Sequence, residues 1–169
     1  MKKSILTLCT ALGTLVFLAA KSDADWERSN GPWSATVMDL LANESNLFAA
    51  TRGGGVFLST DNGSNWMPLD NGLTNPYVNS LVVSGTNLFA GTTTVYGGIG
   101  GGVFRSTDNG ATWTLASSGL TNPSVNAFAV TGSSLFAGTD TLNGNGGVFL
   151  STNNGDSWTR VSNGLPVDH

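Results

Sequence analysis

Short apolar runs alternate with polar turns along most of the chain. From about residue 36 onward, segments rich in Val, Leu, Phe and Ala are separated by clusters of Gly, Asn, Ser and Thr. Leu81 and Val83 are two positions apart, and in a strand such side chains share one face. The same spacing joins Ala127, Ala129 and Thr131. Gly and Asn recur too often for a helix of useful length. The pattern therefore predicts short β-strands joined by tight turns.

The same landmarks then recur in the same order. The spacing between Trp66, Trp113 and Trp158 is 47 and then 45 residues. Four short strands per unit, at a period in the mid-forties, are typical of the blades of a β-propeller. We therefore predict an all-β fold with three blades of four antiparallel strands, over about residues 36–71, 78–118 and 125–163. In the second unit the strands are expected near Val78–Val83, Leu88–Thr92, Gly102–Ser106 and Thr112–Ala116.

An octapeptide with the pattern Ser-Thr-Asx-Asn-Gly-x-x-Trp occurs once in each unit, after the apolar lead Gly-Gly-Val-Phe. Its Asx side chain can accept hydrogen bonds from nearby backbone N–H groups, and its Gly takes a positive φ without strain. Its Trp is large enough to fill a gap between layers. We therefore predict a structural turn at the following positions. They are Ser59, Asp61, Gly63 and Trp66; Ser106, Asp108, Gly110 and Trp113; and Ser151, Asn153, Gly155 and Trp158.

This octapeptide resembles the Asp-box, or BNR repeat, whose pattern is Ser-x-Asp-x-Gly-x-x-Trp. The resemblance implies that the box forms the turn between the third and fourth strands of a blade, with its Trp packed between neighbouring blades. The third copy departs from the pattern at Asn153. Asn can still accept the turn hydrogen bonds, so we expect this turn to form with less electrostatic benefit. The box also occurs in sialidases, in sortilin-type receptors and in a photosystem II stability factor, and the sequence singles out none of them.

The number of units is smaller than a closed ring needs, because propellers typically have four to eight blades. Three hypotheses account for this: the sequence is a fragment of a longer protein, the gene is truncated, or the arc assembles with other copies. The first two are favoured, because unclosed blades cannot bury their faces alone. Trp26–Gly31 resembles the stretch after a box, as in rings that close by mixing the two termini.

The first residues have the anatomy of a secretory signal peptide. Lys2 and Lys3 precede a mostly apolar run that ends in small residues at Ala20. We predict a signal over residues 1–20, with Ala24 as the alternative cleavage point, and a propeller segment over 25–169 in a secreted, periplasmic or cell-surface protein. The competing hypothesis is an uncleaved N-terminal anchor; no later segment could span a membrane. Cys9 is the only cysteine, so a mature chain would depend on its core for stability.

The charge balance excludes some classes of partner. The formal net charge is −4, and removal of Lys2 and Lys3 would make it −6. An acidic chain with scattered arginines argues against nucleic acid or an anionic membrane surface as partner. The charge balance leaves a protein or a glycan open as a ligand, and self-association is open as an alternative to further blades because three blades do not close a ring.

Candidate ligand contacts lie in the loops between the second and third strands, which differ from unit to unit. Variable loops on a repeated scaffold usually carry binding specificity. The alternative is neutral length variation, which costs a fold little. The candidates are Arg52, Tyr96, Asp140 and Asn143. No metal or cofactor is expected, because the only carboxylate near Asn143 is Asp140 and calcium sites use several.

The functional prediction is an exported, non-catalytic binding or scaffold module. One alternative is a sialidase-like glycoside hydrolase whose catalytic residues lie in missing blades, and another is a protein assembly factor. Resemblance to sialidases would imply an arginine triad, a Tyr/Glu pair and an acidic Asp. The arginines fall at different points of their units, and no such pairing is readable, so no catalytic residue is assigned. The arginines are Arg28, Arg52, Arg105 and Arg160.

Overall fold

The computed structural model describes residues 31–32, 35–94, 100–140 and 146–165. The predicted signal segment, Tyr96 and Asn143 lie outside these ranges. Within them the chain forms twelve strands and no helix, and hence no helix that could cross a bilayer. The strands make three four-stranded antiparallel sheets, each in sequential order. The predicted all-β architecture of three four-stranded blades is confirmed.

Each sheet is a meander of consecutive strands, which we call blades one, two and three. Blade one contains β1 (Thr36–Asn43), β2 (Asn46–Arg52), β3 (Gly55–Ser59) and β4 (Met67–Pro68). Blade two contains β5 (Val78–Ser84), β6 (Asn87–Thr92), β7 (Gly102–Ser106) and β8 (Thr114–Leu115). Blade three contains β9 (Val125–Thr131), β10 (Ser134–Thr139), β11 (Gly147–Ser151) and β12 (Thr159–Arg160).

The strands of blade two match the sequence prediction, except that the fourth is shorter. It was expected near Thr112–Ala116, and β8 covers only Thr114–Leu115. The reason is that the N–H of Trp113 donates to the carbonyl of Asn71 in blade one, at 2.9 Å, and not to its own sheet. The start of the fourth strand is thus a connection between blades.

Every blade has two faces. We call the face toward the next blade in sequence its forward face, and the opposite one its rear face. At the first junction, the forward face of blade one packs on the rear face of blade two, with Phe48 and Val56 against Leu81, Leu88 and Phe104.

The second junction repeats this arrangement. Phe89 and Val103, on the forward face of blade two, pack with Val125, Leu135 and Phe149 of blade three. Alternation along β5 explains how one strand serves both junctions, since Leu81 and Val83 join the first cluster and Val82 joins the second. Each fully buried Phe contributes about 1.5–3 kcal/mol through the removal of apolar surface from water.

The octapeptide turns connect the third and fourth strands, as the Asp-box resemblance implies. In blade two the N–H of Gly110 donates to Ser106 Oγ at 2.7 Å, and the Ser106 hydroxyl donates to Asp108 Oδ1 at 2.7 Å. Asp108 also accepts from the N–H of Thr112 at 2.8 Å and from its hydroxyl at 2.6 Å. Positive φ occurs at Asn109 (56°) as well as at Gly110 (87°). The predicted turn therefore uses a left-handed Asn in addition to its Gly.

The first turn has the same network, and the third keeps it in neutral form. Asp61 accepts from the N–H and the side-chain amide of Asn65, at 2.8 and 2.7 Å. Asn153 Oδ1 accepts from the N–H of Ser157 at 3.0 Å, while its own amide donates to Ser157 Oγ at 2.9 Å. The hydroxyl partner has therefore changed from donor to acceptor. The third turn is therefore formed without a carboxylate.

Charge-stabilising donors lower the pKa of both box carboxyls. For Asp108 the largest cause is the hydroxyl of Thr112, followed by the Thr112 N–H and the hydroxyl of Ser106. For Asp61 the largest cause of the lowered pKa is the N–H of Asn65, followed by its side-chain amide. Both carboxyls are solvent-exposed, so these short hydrogen bonds shift the pKa without help from a buried countercharge.

The Trp that ends the second box and the one that ends the third each connect their blade to the preceding blade. Trp113 is 3% exposed, and its ring N–H donates to the carbonyl of Leu69 in blade one at 3.0 Å. Trp158 is 4% exposed and donates in the same way to Ala116 in blade two at 2.8 Å. Trp66 is only half-buried, and its ring N–H donates to Gly63 of its own turn at 3.1 Å.

Replacement of Trp113 by Ala is expected to lower the free energy of unfolding by about 3–5 kcal/mol, as large-to-small core substitutions do. The matched control is Leu115→Ala, two residues away on a side chain that is 65% exposed; it should change stability by no more than about 0.5 kcal/mol. Urea denaturation followed by circular dichroism measures both. Equal effects of the two substitutions would contradict the packing role of Trp113.

The box carboxylates should make stability acid-sensitive. Their pKa values are lowered in the folded chain, so they stabilise it above their ordinary value of 3.8, and this stabilisation is lost as the pH falls through the lower folded values. The double variant Asp61→Asn/Asp108→Asn should be less stable than the parent at neutral pH, with the difference shrinking in acid.

Urea denaturation at a series of pH values from about 2 to 7 tests this linkage. Asn153→Asp provides the converse experiment, because it adds a carboxyl to the turn that lacks one. It should raise stability at neutral pH and lose that gain in acid. Parallel pH profiles for the parent and the double variant would show that the turns do not depend on charge.

Candidate functional site

One edge of the blades carries the variable loops. We call it the loop face; it contains the β2–β3, β6–β7 and β10–β11 loops and the linkers from each fourth strand to the next blade. The box turns and the β1–β2, β5–β6 and β9–β10 turns lie at the opposite edge, the box face, because successive antiparallel strands reverse direction. The loop face is therefore free of the structural boxes.

Two buried asparagines hold the loops in place. Asn75 is fully buried, and its amide donates to the carbonyls of Thr93 and Gly100, both at 2.9 Å. These two carbonyls lie on either side of the tip of the β6–β7 loop. Asn122 repeats the arrangement in blade three, where its amide donates to the carbonyl of Asp140 at 2.6 Å. Each linker thus fixes an end of the loop that follows it.

Further hydrogen bonds connect the loops of neighbouring blades. The N–H groups of Gly53 and Gly55 donate to the carbonyl of Pro76, at 3.0 and 2.9 Å. The N–H of Thr94 donates to Ser124 Oγ at 3.0 Å, which joins blade two to the linker into blade three. The N–H of Asp140 then donates to the carbonyl of Ser124 at 3.0 Å. The loop bases form one continuous hydrogen-bonded band.

The predicted ligand contacts lie on this band but not beside one another. Arg52 ends β2 and is exposed, and its backbone pairs with Tyr77 in an isolated antiparallel bridge. Asp140 follows β10 and is partly buried, in blade three. Blade two separates the two residues. Tyr96 and Asn143 belong to the loop tips outside the described ranges.

Three residues of the loop face were missed by sequence reasoning: Asn75, Asn122 and Tyr77. The signal for the asparagines was present, because Thr-Asn-Pro recurs at 74–76 and 121–123. It marked a repeated linker, but a repeat does not say that the amide is buried or where its partners are. Tyr77 follows the first of these motifs, and Ser124 replaces it after the second.

The carboxyl groups of the described loop face lie far apart along the arc of blades. Most glycosidases use two carboxyl groups about 5–10 Å apart. Within the described residues of the loop face, Asp70 and Asp140 lie in different blades with blade two between them. The box carboxylates are on the other face, and their lowered pKa suits them poorly to donate a proton.

Metal binding is the other chemistry that the described side chains were compared with. Across the described ranges, no three His, Cys, Asp or Glu side chains come together as metal ligands. The exposed guanidinium of Arg52 is the group best placed to meet a ligand, since no carboxylate among the described residues forms an ion pair with it.

Comparison with known proteins gives a family for the repeat. The family model for the BNR/Asp-box repeat matches residues 104–115, which include the second box. No curated protein matches the chain.

Solved structures give the fold. An ancestral GH74 enzyme has a TM-score of 0.60 and 22% identity, over 82% of this chain and 19% of its own. YCF48 from Cyanidioschyzon merolae has a TM-score of 0.61 and 17% identity, over 80% of this chain and 40% of its own. The GH74 enzyme of Niastella koreensis has a TM-score of 0.53 and 20% identity, over 68% of this chain and 19% of its own. The chain thus spans less than half the length of each. Residues 104–115 thus match the BNR/Asp-box repeat, and the described residues form three β-propeller blades.

Proposed function

We propose that this chain is an exported, non-catalytic binding or scaffold module that holds a carboxylate-bearing ligand on its loop face. The observation that carries the proposal is the exposed Arg52 guanidinium, which has no carboxylate partner among the described residues and lies on a hydrogen-bonded loop scaffold. The basic and apolar pattern of residues 1–20 supports export to the periplasm, the cell surface or the medium.

Arg52 and Tyr77 together suit a ligand of this chemistry. They are direct partners in an antiparallel bridge, so their side chains project to the same side of the backbone. A guanidinium can hold a carboxylate through two parallel hydrogen bonds, and a phenol ring beside it can stack on an apolar part of the same ligand. Tyr77 is partly exposed, and Gly53 beside it carries no side chain that could cover the ring; a Cβ there would already contact Tyr77 Cε1, at 3.9 Å.

Preorganisation supports binding at this edge. The loop bases are fixed by buried amides such as Asn75, so little ordering entropy is lost there when a ligand binds. Two of the similar structures are GH74 enzymes. Hydrolysis of a glycan is therefore the alternative that an experiment must separate from binding.

An array of carboxylated and neutral glycans, together with acidic peptides, tests the proposed site. Binding should be confined to carboxylated probes. For the best probe, Arg52→Ala should weaken affinity about tenfold or more, because a charge-assisted hydrogen bond is lost. Arg52→Lys should fall between, since it keeps the charge but not the planar fork.

The matched control is Thr60→Asp, an exposed change on the box face that alters net charge in the same direction and amount as Arg52→Ala. It should leave affinity unchanged. Equal affinity of the parent and Arg52→Ala would contradict a site at Arg52. Turnover of a sialoside or of any bound glycan by the chain would contradict the non-catalytic role.

A further inference from the structure

We propose that the two open sheet faces of the arc are complementary, and that two copies of the chain close head to tail into a six-bladed ring. The forward face of blade three in one copy would pack on the rear face of blade one in the other. The two internal junctions show what such an interface looks like. This inference does not depend on the ligand proposed above.

The forward face of blade three is built like the forward faces that are covered. Phe136 and Val148 occupy the strand positions at which blade two has Phe89 and Val103. Phe89 and Val103 are fully buried, whereas Phe136 and Val148 are partly exposed. The residue types at these positions are the same in blades two and three. The two blades differ in whether a neighbouring blade is packed on the forward face.

The rear face of blade one shows the same contrast. Leu40 is 58% exposed, while Leu81, at the equivalent position in blade two, is 5% exposed. Leu47 and Phe57 are partly exposed, and their equivalents in blade two are buried. Those equivalents are Leu88 and Phe104. Each open face therefore presents apolar side chains that bury fully wherever a neighbouring blade is present.

The space beside the glycine of the second strand also differs between blade two and blade three. A Cβ at Gly91 would lie 2.7 Å from Val125 Cγ1, so the second junction leaves no room there for a side chain. Gly138 has the same place in blade three, but there a Cβ would meet nothing closer than 3.8 Å. Blade three thus has room for a neighbouring blade at a position where no described residue uses that room.

The glycine that follows the fourth strand shows the same difference between covered and open blades. A Cβ at Gly72 or Gly119 would overlap with the carbonyl oxygen of the Trp in the following blade, whereas Gly164 has nothing within 4 Å among the described residues. Trp66 is the box Trp whose ring N–H turns back to its own turn instead of reaching a preceding blade. In the proposed ring, Gly164 of one copy would meet Trp66 of the other, as Gly72 meets Trp113 and Gly119 meets Trp158 within one chain.

Charge is compatible with the pairing. Across the second junction, Arg105 forms an ion pair with Asp156 at 2.6 Å. Leu150 stands at the position of Arg105 in blade three, and Ser64 stands at the position of Asp156 in blade one. The proposed interface would therefore place Leu150 opposite Ser64, and no unpaired charge would be buried between the faces.

A ring of two copies satisfies both faces of every blade. A head-to-tail interface closes when its rotation returns to the start, and six blades lie within the range of four to eight that propellers use. A second copy would provide a rear face for blade three to pack on and a forward face for blade one to pack on. Both contacts would have the orientation seen at the internal junctions.

Sedimentation equilibrium of the purified full chain tests the ring. The expected species has twice the mass of one purified chain. Leu40→Glu places a charge on a side chain that a single copy leaves exposed, so the variant should fold, with an unchanged circular dichroism spectrum, and weaken dimerisation about 30-fold or more. The control Thr107→Glu adds the same charge at an exposed box-turn position of blade two and should leave the dimer intact.

A charge swap tests which residues face each other. Leu150→Arg alone should weaken the dimer, because its guanidinium would meet Ser64 of the other copy. Adding Ser64→Asp reproduces the Arg105–Asp156 pair and should recover about tenfold of the lost affinity. A folded monomer of the parent chain, an open-ended series of larger species, or a dimer insensitive to Leu40→Glu would overturn the proposal. The last two would point respectively to a junction that does not close and to association through another segment.

Discussion

The structure depends on one constraint: a four-stranded blade with apolar side chains on both faces cannot bury them alone. Blade two meets this constraint completely, because Leu81 and Phe104 bury against blade one while Phe89 and Val103 bury against blade three. Among the described residues, blades one and three each meet it on one side only. The other features of the described residues either form these junctions or lie at the sheet edges that the junctions hold in place.

The box turns support the junctions between the blades. Ser106 and Asp108 tie the turn to itself, and that fixes the direction in which Trp113 leaves it. Trp113 then reaches two carbonyls of the preceding blade, one through its ring and one through its backbone. Local hydrogen bonding within a few residues thereby positions the side chain that connects elements more than forty residues apart. This explains why the motif recurs at a fixed place in each unit.

Much of the fold could be predicted because its signals are local. Alternation along Val78–Ser84 and the repeated turn chemistry lie within short stretches, and the repeat period supplies the architecture. The site could not be predicted to the same depth. The partners of Asn75 lie 18 and 25 residues away, and the Arg105–Asp156 pair joins positions 51 apart that differ in the other units. Such contacts depend on how neighbouring blades pack against each other. That packing cannot be inferred from any one segment of the sequence. The shortened β8 has the same origin, since Trp113 bonds to the neighbouring blade.

The Asn75 amide has a consequence for how this scaffold can change. It donates hydrogen bonds to the carbonyls of Thr93 and Gly100, at the two ends of the β6–β7 loop. The blade therefore constrains the positions of the loop ends and not the residues between them. Lengthening a loop with anchored ends adds an entropic cost that grows only with the logarithm of its length. Segments of different size and composition can therefore be exchanged at this point while the blade stays the same. Variation of the loop is thereby separated from the stability of the blade, which makes the β6–β7 loop a suitable place to graft a foreign peptide.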